Sequence, residues 1–200
     1  MNSTLSQLKT NSVYGYLTHN ADNLISNTDL WNGLKEVKAN RKIKKMGYSL
    51  YSTEQLDKLL DLNLIPDLVQ LPYSLLDKKF EPYFEVLKKL GAEIHVRSIF
   101  LQGLYFMNPL NLPDKLKYFK PILLKLNDIC NEFKIDMNTL ALNFPLSNPF
   151  IDKVVIGIDT ISQLQKNIEA IRLWKYEENL MNCIKDIHVE YQELLNPANW

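Results

Sequence analysis

The stretch RKIKKMGYSLYSTEQLDKLLDLNLIPDLVQLP, residues 41–72, decides the fold class of this 200-residue chain. Its apolar and β-branched run from Ile43 to Ser49 predicts a strand. A helix with leucines on one face is predicted to open at Ser52, and a second apolar run from Asp67 to Leu71 predicts another strand. A strand, a helix and a strand in this order are typical of a βα unit with parallel strands.

The same alternation extends over the rest of the chain. Three more strands are predicted, from Val13 to Thr18, from Glu93 to Ser98 and from Lys153 to Ile158. Amphipathic helices are predicted between and after them, at residues 30–37, 84–90, 114–133, 138–144, 161–173 and 177–195, with a break at Pro145. These patterns predict one α/β domain over residues 1–200 with five parallel strands. They leave open a self-sufficient flavodoxin-like sheet and a βα barrel, which needs eight strands.

Composition excludes several classes of protein. Hydrophobic residues make up 46% of the chain and charged residues 23%, the balance of a soluble globular domain. The 23 basic and 23 acidic side chains cancel, so we expect no nucleic-acid partner and no anionic membrane partner. Cys130 and Cys183 are far apart in sequence and have no His at metal-ligand spacing, so we expect no metal site and no disulfide framework. The sequence shows no signal peptide and no membrane-spanning run, which predicts a cytoplasmic location.

Five segments carry a resemblance to a known family. They are SVYGYLTHNAD (12–22), LWNGLKEVKANRKIKKMGYSLYS (30–52), PDLVQLPYSLLD (66–77), GAEIHVRSIFLQGLYF (91–106) and IDKVVIGIDTISQLQKNIEA (151–170). In their order and intervals they resemble successive landmarks of the aldo-keto reductase family, and the closing LLNPANW is similar to that family's tail. The resemblance implies an α/β TIM barrel of eight strands. The five strands of this chain match the family's strands four to eight, so the resemblance implies an N-terminally truncated domain.

The resemblance also implies chemistry. Aldo-keto reductases reduce an aldehyde, ketone or sugar carbonyl with NADPH or NADH, using a Tyr as the acid with help from Lys, Asp and His. Only the His has a match, His19, which we expect to hydrogen-bond the substrate oxygen; the alternative is a loop histidine bonded to a backbone carbonyl. Tyr14, Tyr16 and Tyr51 fit better as aromatics of the core than as substitutes for the acid. We therefore expect the chain alone to be inactive.

The family's cofactor residues have more matches. Ser49 and Gln70 match groups that bind the nicotinamide carboxamide, with Leu50 in place of the usual Asn. Arg97 stands where the family has a Tyr that stacks under the nicotinamide, and a guanidinium plane can also stack on a ring. Ser98 and the backbone as far as Phe100 match the pyrophosphate contact; packing at the barrel mouth is the alternative.

The loop and helix after the last strand match the end of the site that holds the adenosine phosphate. The matching residues are Gly157, Asp159, Thr160, Gln163 and Asn167. Helix N-termini favour anions, which suits this role. In NADP-preferring members Lys and Arg stand where this chain has Gly157 and Gln163, so the choice between NADPH and NADH stays open.

Three accounts of function follow from these observations. The first is an oxidoreductase that acts on a small-molecule carbonyl substrate, with the missing strands supplied either upstream in a longer gene or by a second chain. The second is a non-catalytic module of the same fold that binds a nicotinamide nucleotide or another protein. The third is a truncated product whose unpaired sheet edges invite aggregation.

Overall fold

Five strands and nine helices alternate along the chain in the computed structural model, which describes residues 1–200. The strands are β1 (Val13–Thr18), β2 (Ile43–Ser49), β3 (Leu68–Pro72), β4 (Glu93–Arg97) and β5 (Lys153–Val154). The helices are α1 (Asn2–Gln7), α2 (Asp22–Ser26), α3 (Asp29–Ala39), α4 (Thr53–Asp61), α5 (Phe84–Lys89), α6 (Lys120–Glu132), α7 (Met137–Leu146), α8 (Ile161–Arg172) and α9 (Glu178–Lys185). Short 3-10 segments occur among them, at Glu81–Tyr83, Leu101–Phe106, Asp114–Phe119, Gln192–Leu195 and Pro197–Asn199.

The strands follow one another in the sheet in the order of the chain. Backbone contacts group the residues into two compact units. The first unit comprises residues 1–71 and 79–95, and the second comprises residues 72–78 and 96–200. The single domain over residues 1–200 stays a prediction.

Parallel pairing in the first unit has a defined register. Val13 of β1 lies beside Ile43 of β2, and Gly47 of β2 lies beside Leu68 of β3. A Cβ at Gly47 would lie 1.7 Å from the Leu68 carbonyl oxygen, so only glycine lets the two backbones approach this closely. The predicted strands Val13 to Thr18 and Ile43 to Ser49 are confirmed residue for residue.

Two helices of the first unit, α3 and α4, test the apolar patterns predicted from the sequence. Helix α4 begins with a capping box between Ser52 and Gln55, which confirms its predicted start. Helix α3 buries Trp31, whose ring lies 6.0 Å from that of Tyr48, whereas its neighbour Leu30 is exposed. Adjacent helical positions point about 100° apart, so burying Trp31 turns Leu30 outward.

Three predicted elements in the second unit are wrong in their extent. Strand β5 has two residues rather than six, and directly after it the Val155 N–H donates to the Val96 carbonyl oxygen at 2.8 Å. Helix α7 runs through Pro145 to Leu146, since a proline in the last turn removes only one internal hydrogen bond. The tail does not form one helix, because α9 ends at Lys185.

Candidate functional site

The two residues matched to the nicotinamide carboxamide lie side by side in the first unit. Ser49 is the last residue of β2 and is buried, and its register partner on β3 is Gln70. The Leu50 N–H donates to the Gln70 carbonyl oxygen at 2.8 Å and extends the ladder past the end of β2. Because strand pairing sets this geometry, the Ser49 hydroxyl and the Gln70 amide are held next to each other without any bond between their side chains.

His19 lies one residue beyond the C-terminal end of β1 and is exposed. This is the position predicted from the sequence, at the strand end where barrel enzymes place their reacting groups. Its contact with a substrate oxygen stays a prediction.

Arg97 and Ser98 form a small polar group in the second unit. Arg97 is the last residue of β4, and its Nη1 donates to the Ser98 hydroxyl oxygen at 3.2 Å. Ser98 has a φ of +60°, a left-handed conformation that is uncommon for a residue with a side chain. Phe100 packs against Phe106 with ring centroids 5.8 Å apart. Arg97 and Phe100 are each half-buried at this turn, and their predicted cofactor contacts stay predictions.

The N-terminus of α8 is closed by its own side chains. The Gln163 N–H donates to the Thr160 hydroxyl oxygen at 3.1 Å, and the Gln163 side-chain oxygen accepts from the N–H groups of Asp159 (2.8 Å) and Thr160 (3.2 Å). This capping box satisfies three backbone donors at the helix start. Gly157 is exposed just before it. Thr160 and Gln163 thus bind the helix itself here, and a nucleotide phosphate would have to compete with them.

Asn167 differs from the residues of the cap. It lies one turn further along α8, is 7% exposed, and its Oδ1 accepts from Asn138 Nδ2 at 3.1 Å. Asn138 belongs to α7, so this bond connects the two helices. The second bond between these helices runs from Asn143 Nδ2 to the Ala170 carbonyl oxygen at 3.1 Å.

Sequence reasoning missed a charged cluster in the first unit. Glu93 accepts from the Tyr14 hydroxyl at 2.5 Å and pairs with Lys45 Nζ at 2.7 Å, while His95 Nε2 lies 3.3 Å from its other oxygen. Burial opposes ionisation of Glu93, but hydrogen bonds from Lys45 and Tyr14 outweigh it and lower the pKa of Glu93 to about 2. The only signal in the sequence was the presence of charged residues in two otherwise mainly apolar strands, β2 and β4.

The tyrosines set aside as core residues differ in their burial. Tyr14 and Tyr51 are 44% and 41% exposed, so placing them in the core was wrong. Tyr14 reaches Glu93 instead, and this hydrogen bond raises the pKa of Tyr14. Tyr51 lies at the turn before α4, where its N–H donates to the Gln55 side chain. Tyr16 is half-buried on β1.

A metal site requires a cluster of ligating side chains, and a membrane span requires a long apolar helix. No group of three or more His, Cys, Asp or Glu side chains is placed to hold a metal ion. None of the helices has the length and apolar character needed to cross a bilayer.

Comparison with known proteins decides the family. The model of the Aldo/keto reductase family matches residues 1–188. This chain belongs to the aldo/keto reductase family. The match covers nearly the whole sequence and does not by itself support the predicted N-terminal truncation.

Individual relatives of this aldo/keto reductase are distant. Pyridoxal 4-dehydrogenase of Microbacterium luteolum is 27% identical over 143 residues, covering 68% of this chain and 42% of that protein. Protein tas of Escherichia coli (strain K12) is 26% identical over 198 residues, covering 88% of this chain and 57% of that protein. The chain therefore spans about half the length of these curated relatives.

A solved structure supports the fold. The apo form of aldo-keto reductase AKR11C1 from Bacillus halodurans superposes with a TM-score of 0.75 at 19% identity, covering 96% of this chain and 69% of that one. The predicted α/β fold with five parallel strands of the TIM-barrel type is confirmed, and the flavodoxin-like alternative falls away.

Proposed function

We propose that this chain is part of an oxidoreductase that reduces an aldehyde, ketone or sugar carbonyl with NADPH or NADH. Family membership over residues 1–188 carries the proposal. The register pairing of Ser49 with Gln70 supports it, since a hydroxyl and an amide side by side offer donors and acceptors that suit a carboxamide. The name of the relative pyridoxal 4-dehydrogenase is consistent with redox chemistry on a small carbonyl compound.

The proposed role of His19 is to hydrogen-bond the substrate oxygen at the end of β1. A proton donor is also needed, and Tyr14 is a poor candidate because its bond to Glu93 raises its pKa. We assign the acid to polypeptide outside these 200 residues, supplied by a second chain with further βα units. The cytoplasmic location stays a prediction.

An exposed apolar stripe on α8 supports this partner. Ile161, Leu164, Ile168 and Ile171 recur at intervals of three and four residues, and each is between 42% and 78% exposed. Such spacing places them along one helix face, and an amphipathic helix normally buries such a face against protein. The solved relative has about a third of its length outside the match, so we propose helices of the added βα units as the covering partner.

Measuring the mass of the chain by light scattering tests the stripe. We expect Ile168→Glu to abolish capture of a separately expressed second chain that carries the added βα units. Leu110→Glu is the matched control, because Leu110 is 74% exposed in a loop that is not part of α8. Capture that survives Ile168→Glu would exclude the stripe as the docking surface.

A non-catalytic nucleotide-binding module is the second candidate. It is favoured by one observation: only His19 matches the family's catalytic set, whose Tyr, Asp and Lys have no match in this sequence. This candidate predicts nucleotide binding without turnover even after a second chain with the missing βα units is added.

Fluorescence titration with NADPH and NADH tests the proposed function. We expect saturable binding that Gln70→Ala weakens by about tenfold, because the variant lacks the side-chain amide that is proposed to bind the nicotinamide carboxamide. Gln7→Ala, an exposed change on α1, is the control. The absence of binding to either nucleotide would refute both candidates. If binding is found, turnover assays on small aldehydes, ketones and sugars separate them.

A further inference from the structure

Gln55 connects the segments that follow two neighbouring strands of the first unit. Its side-chain oxygen accepts from the N–H groups of Tyr51 (2.9 Å) and Ser52 (3.4 Å), just after β2. Its Nε2 donates to the Asp22 carboxylate oxygen at 3.1 Å, in the segment that follows β1. Both ends of the Gln55 amide are therefore used, and they join segments that are far apart in the sequence.

The two segments carry residues of the proposed site. Ser49 ends β2, directly before the segment that Gln55 holds. His19 follows β1, and only Asn20 and Ala21 separate it from Asp22. This short connection is anchored, because Ala21 is fully buried and the Asp22 N–H donates to Asn20 Oδ1 at 2.9 Å. Holding Asp22 in place therefore also restricts where His19 can lie.

Strand pairing alone does not restrict His19 in this way. The register of β1 with β2 ends with Thr18 beside Tyr48, one residue short of His19, and His19 itself is exposed. We propose that Gln55 is a positioning residue, which keeps His19 at a fixed distance from the Ser49 hydroxyl. This inference rests on the proposed function, in which the two residues contact the substrate oxygen and the nicotinamide carboxamide, groups that react only when held in close register.

Gln55→Glu separates the two tasks of this side chain. A carboxylate can still accept from the backbone N–H groups at the start of α4, and a negative charge in the first turn of a helix is favourable. It has no hydrogen to donate to Asp22, whose charge has the same sign. The variant therefore loses the connection between the two segments while α4 stays capped.

Asp22→Asn provides both a control and a rescue. As a single change it keeps an oxygen that accepts from Gln55 Nε2, so the connection is kept. In the double variant Gln55→Glu/Asp22→Asn, the new amide donates to the new carboxylate, so the connection returns with donor and acceptor exchanged. Only Gln55→Glu by itself should break it.

NMR relaxation of the His19 backbone in the wild type and these three variants tests the proposal. We expect an order parameter of about 0.85 in the wild type, in Asp22→Asn and in the double variant, and of about 0.6 or less in Gln55→Glu. His188, an exposed residue of the second unit, is the internal control and should not change. Thermal unfolding should not follow this order, because the cap of α4 is present in all four proteins.

Titration of the same proteins with NADPH and NADH completes the experiment. Nucleotide affinity should be equal in all four, because Ser49 and Gln70 are held by strand pairing. Equal order at His19 in all four proteins, or a loss of order that the double variant does not restore, overturns the inference and leaves the proposed function standing. A tenfold loss of nucleotide affinity in Gln55→Glu also overturns it, since Gln55 would then act on the cofactor groups.

Failure of the proposed function gives a different result. A wild-type chain that binds neither nucleotide refutes the proposed function, and the order of His19 in the four proteins still decides whether Gln55 fixes this residue.

Discussion

The Ser49 and Gln70 pair on the strands and the start of α8 position their polar groups by different means. Ser49 and Gln70 are neighbours because β2 and β3 pair through the backbone. At α8, Thr160 and Gln163 are placed by hydrogen bonds from their own side chains, the same groups that the family resemblance assigns to the ligand. On the strands, the backbone fixes the positions of the polar groups, so their side chains stay available to a ligand. At the helix cap, the same side chains bind the helix backbone, so a ligand has to compete with the helix for them.

A substitution at Gly47 should have the largest effect, because it disrupts the pairing of β2 with β3. We expect Gly47→Ala to destabilise the chain by more than about 3 kcal/mol, because the methyl group would overlap the Leu68 carbonyl and force β2 away from β3. Urea unfolding measures this loss. Gly33→Ala is the matched control: it sits in the open on α3, where alanine should stabilise the helix by about 1 kcal/mol. Equal effects at both glycines would contradict the close approach of the two strands.

Acid should weaken the first unit through Glu93. The pKa of Glu93 is about 2 in the folded chain and 4.5 in its ordinary state, so its carboxylate stabilises the fold above pH 4.5 and this contribution is lost as the pH falls towards 2. On acidification from about pH 5 to pH 2.5, the Glu93→Gln variant should lose roughly 1–2 kcal/mol less free energy of unfolding than the wild type, because it has no carboxylate to protonate at this position. Unfolding at a series of pH values measures it.

Glu85→Gln provides the control for this pH dependence. Glu85 pairs with Lys89 on the exposed face of α5, where solvent screens the interaction. The two variants should therefore have different acid profiles, and identical profiles would show that the Lys45–Glu93–Tyr14 contacts do not determine the acid response.

The smallest effects should come from the two capping residues. Ser52→Ala and Thr160→Ala each remove a cap and should each cost about 1 kcal/mol of stability. Only Thr160→Ala should also change the dissociation constant for NADPH, since Ser52 caps α4, to which no cofactor role is assigned. Unfolding experiments and fluorescence titrations on the two variants measure both effects. If both variants change the affinity for NADPH equally, the start of α8 has no specific role in nucleotide binding.

The strands β1 and β2 and the start of α4 could be predicted because each depends on residues that are close together in the sequence. The alternation of apolar residues in β1 and β2 and the Ser52 and Gln55 capping box are properties of a few consecutive residues, and these elements appear where they were predicted. Strand β5 was overestimated for the same reason. Its apolar run VVIGI has the composition of a strand, but only contact with β4 decides how many of its residues pair.

The sequence alone was thus enough to determine the βα alternation, the family and the strand ends at which His19 and Ser49 lie. Tertiary structure alone decided the partners of polar side chains that pair across long stretches of sequence. Tyr14 meets Glu93 across 79 residues of sequence, and Asn138 meets Asn167 across 29. Secondary structure is encoded in periods of about two to four residues, whereas such pairs form only after sheet register and helix packing have brought distant segments together.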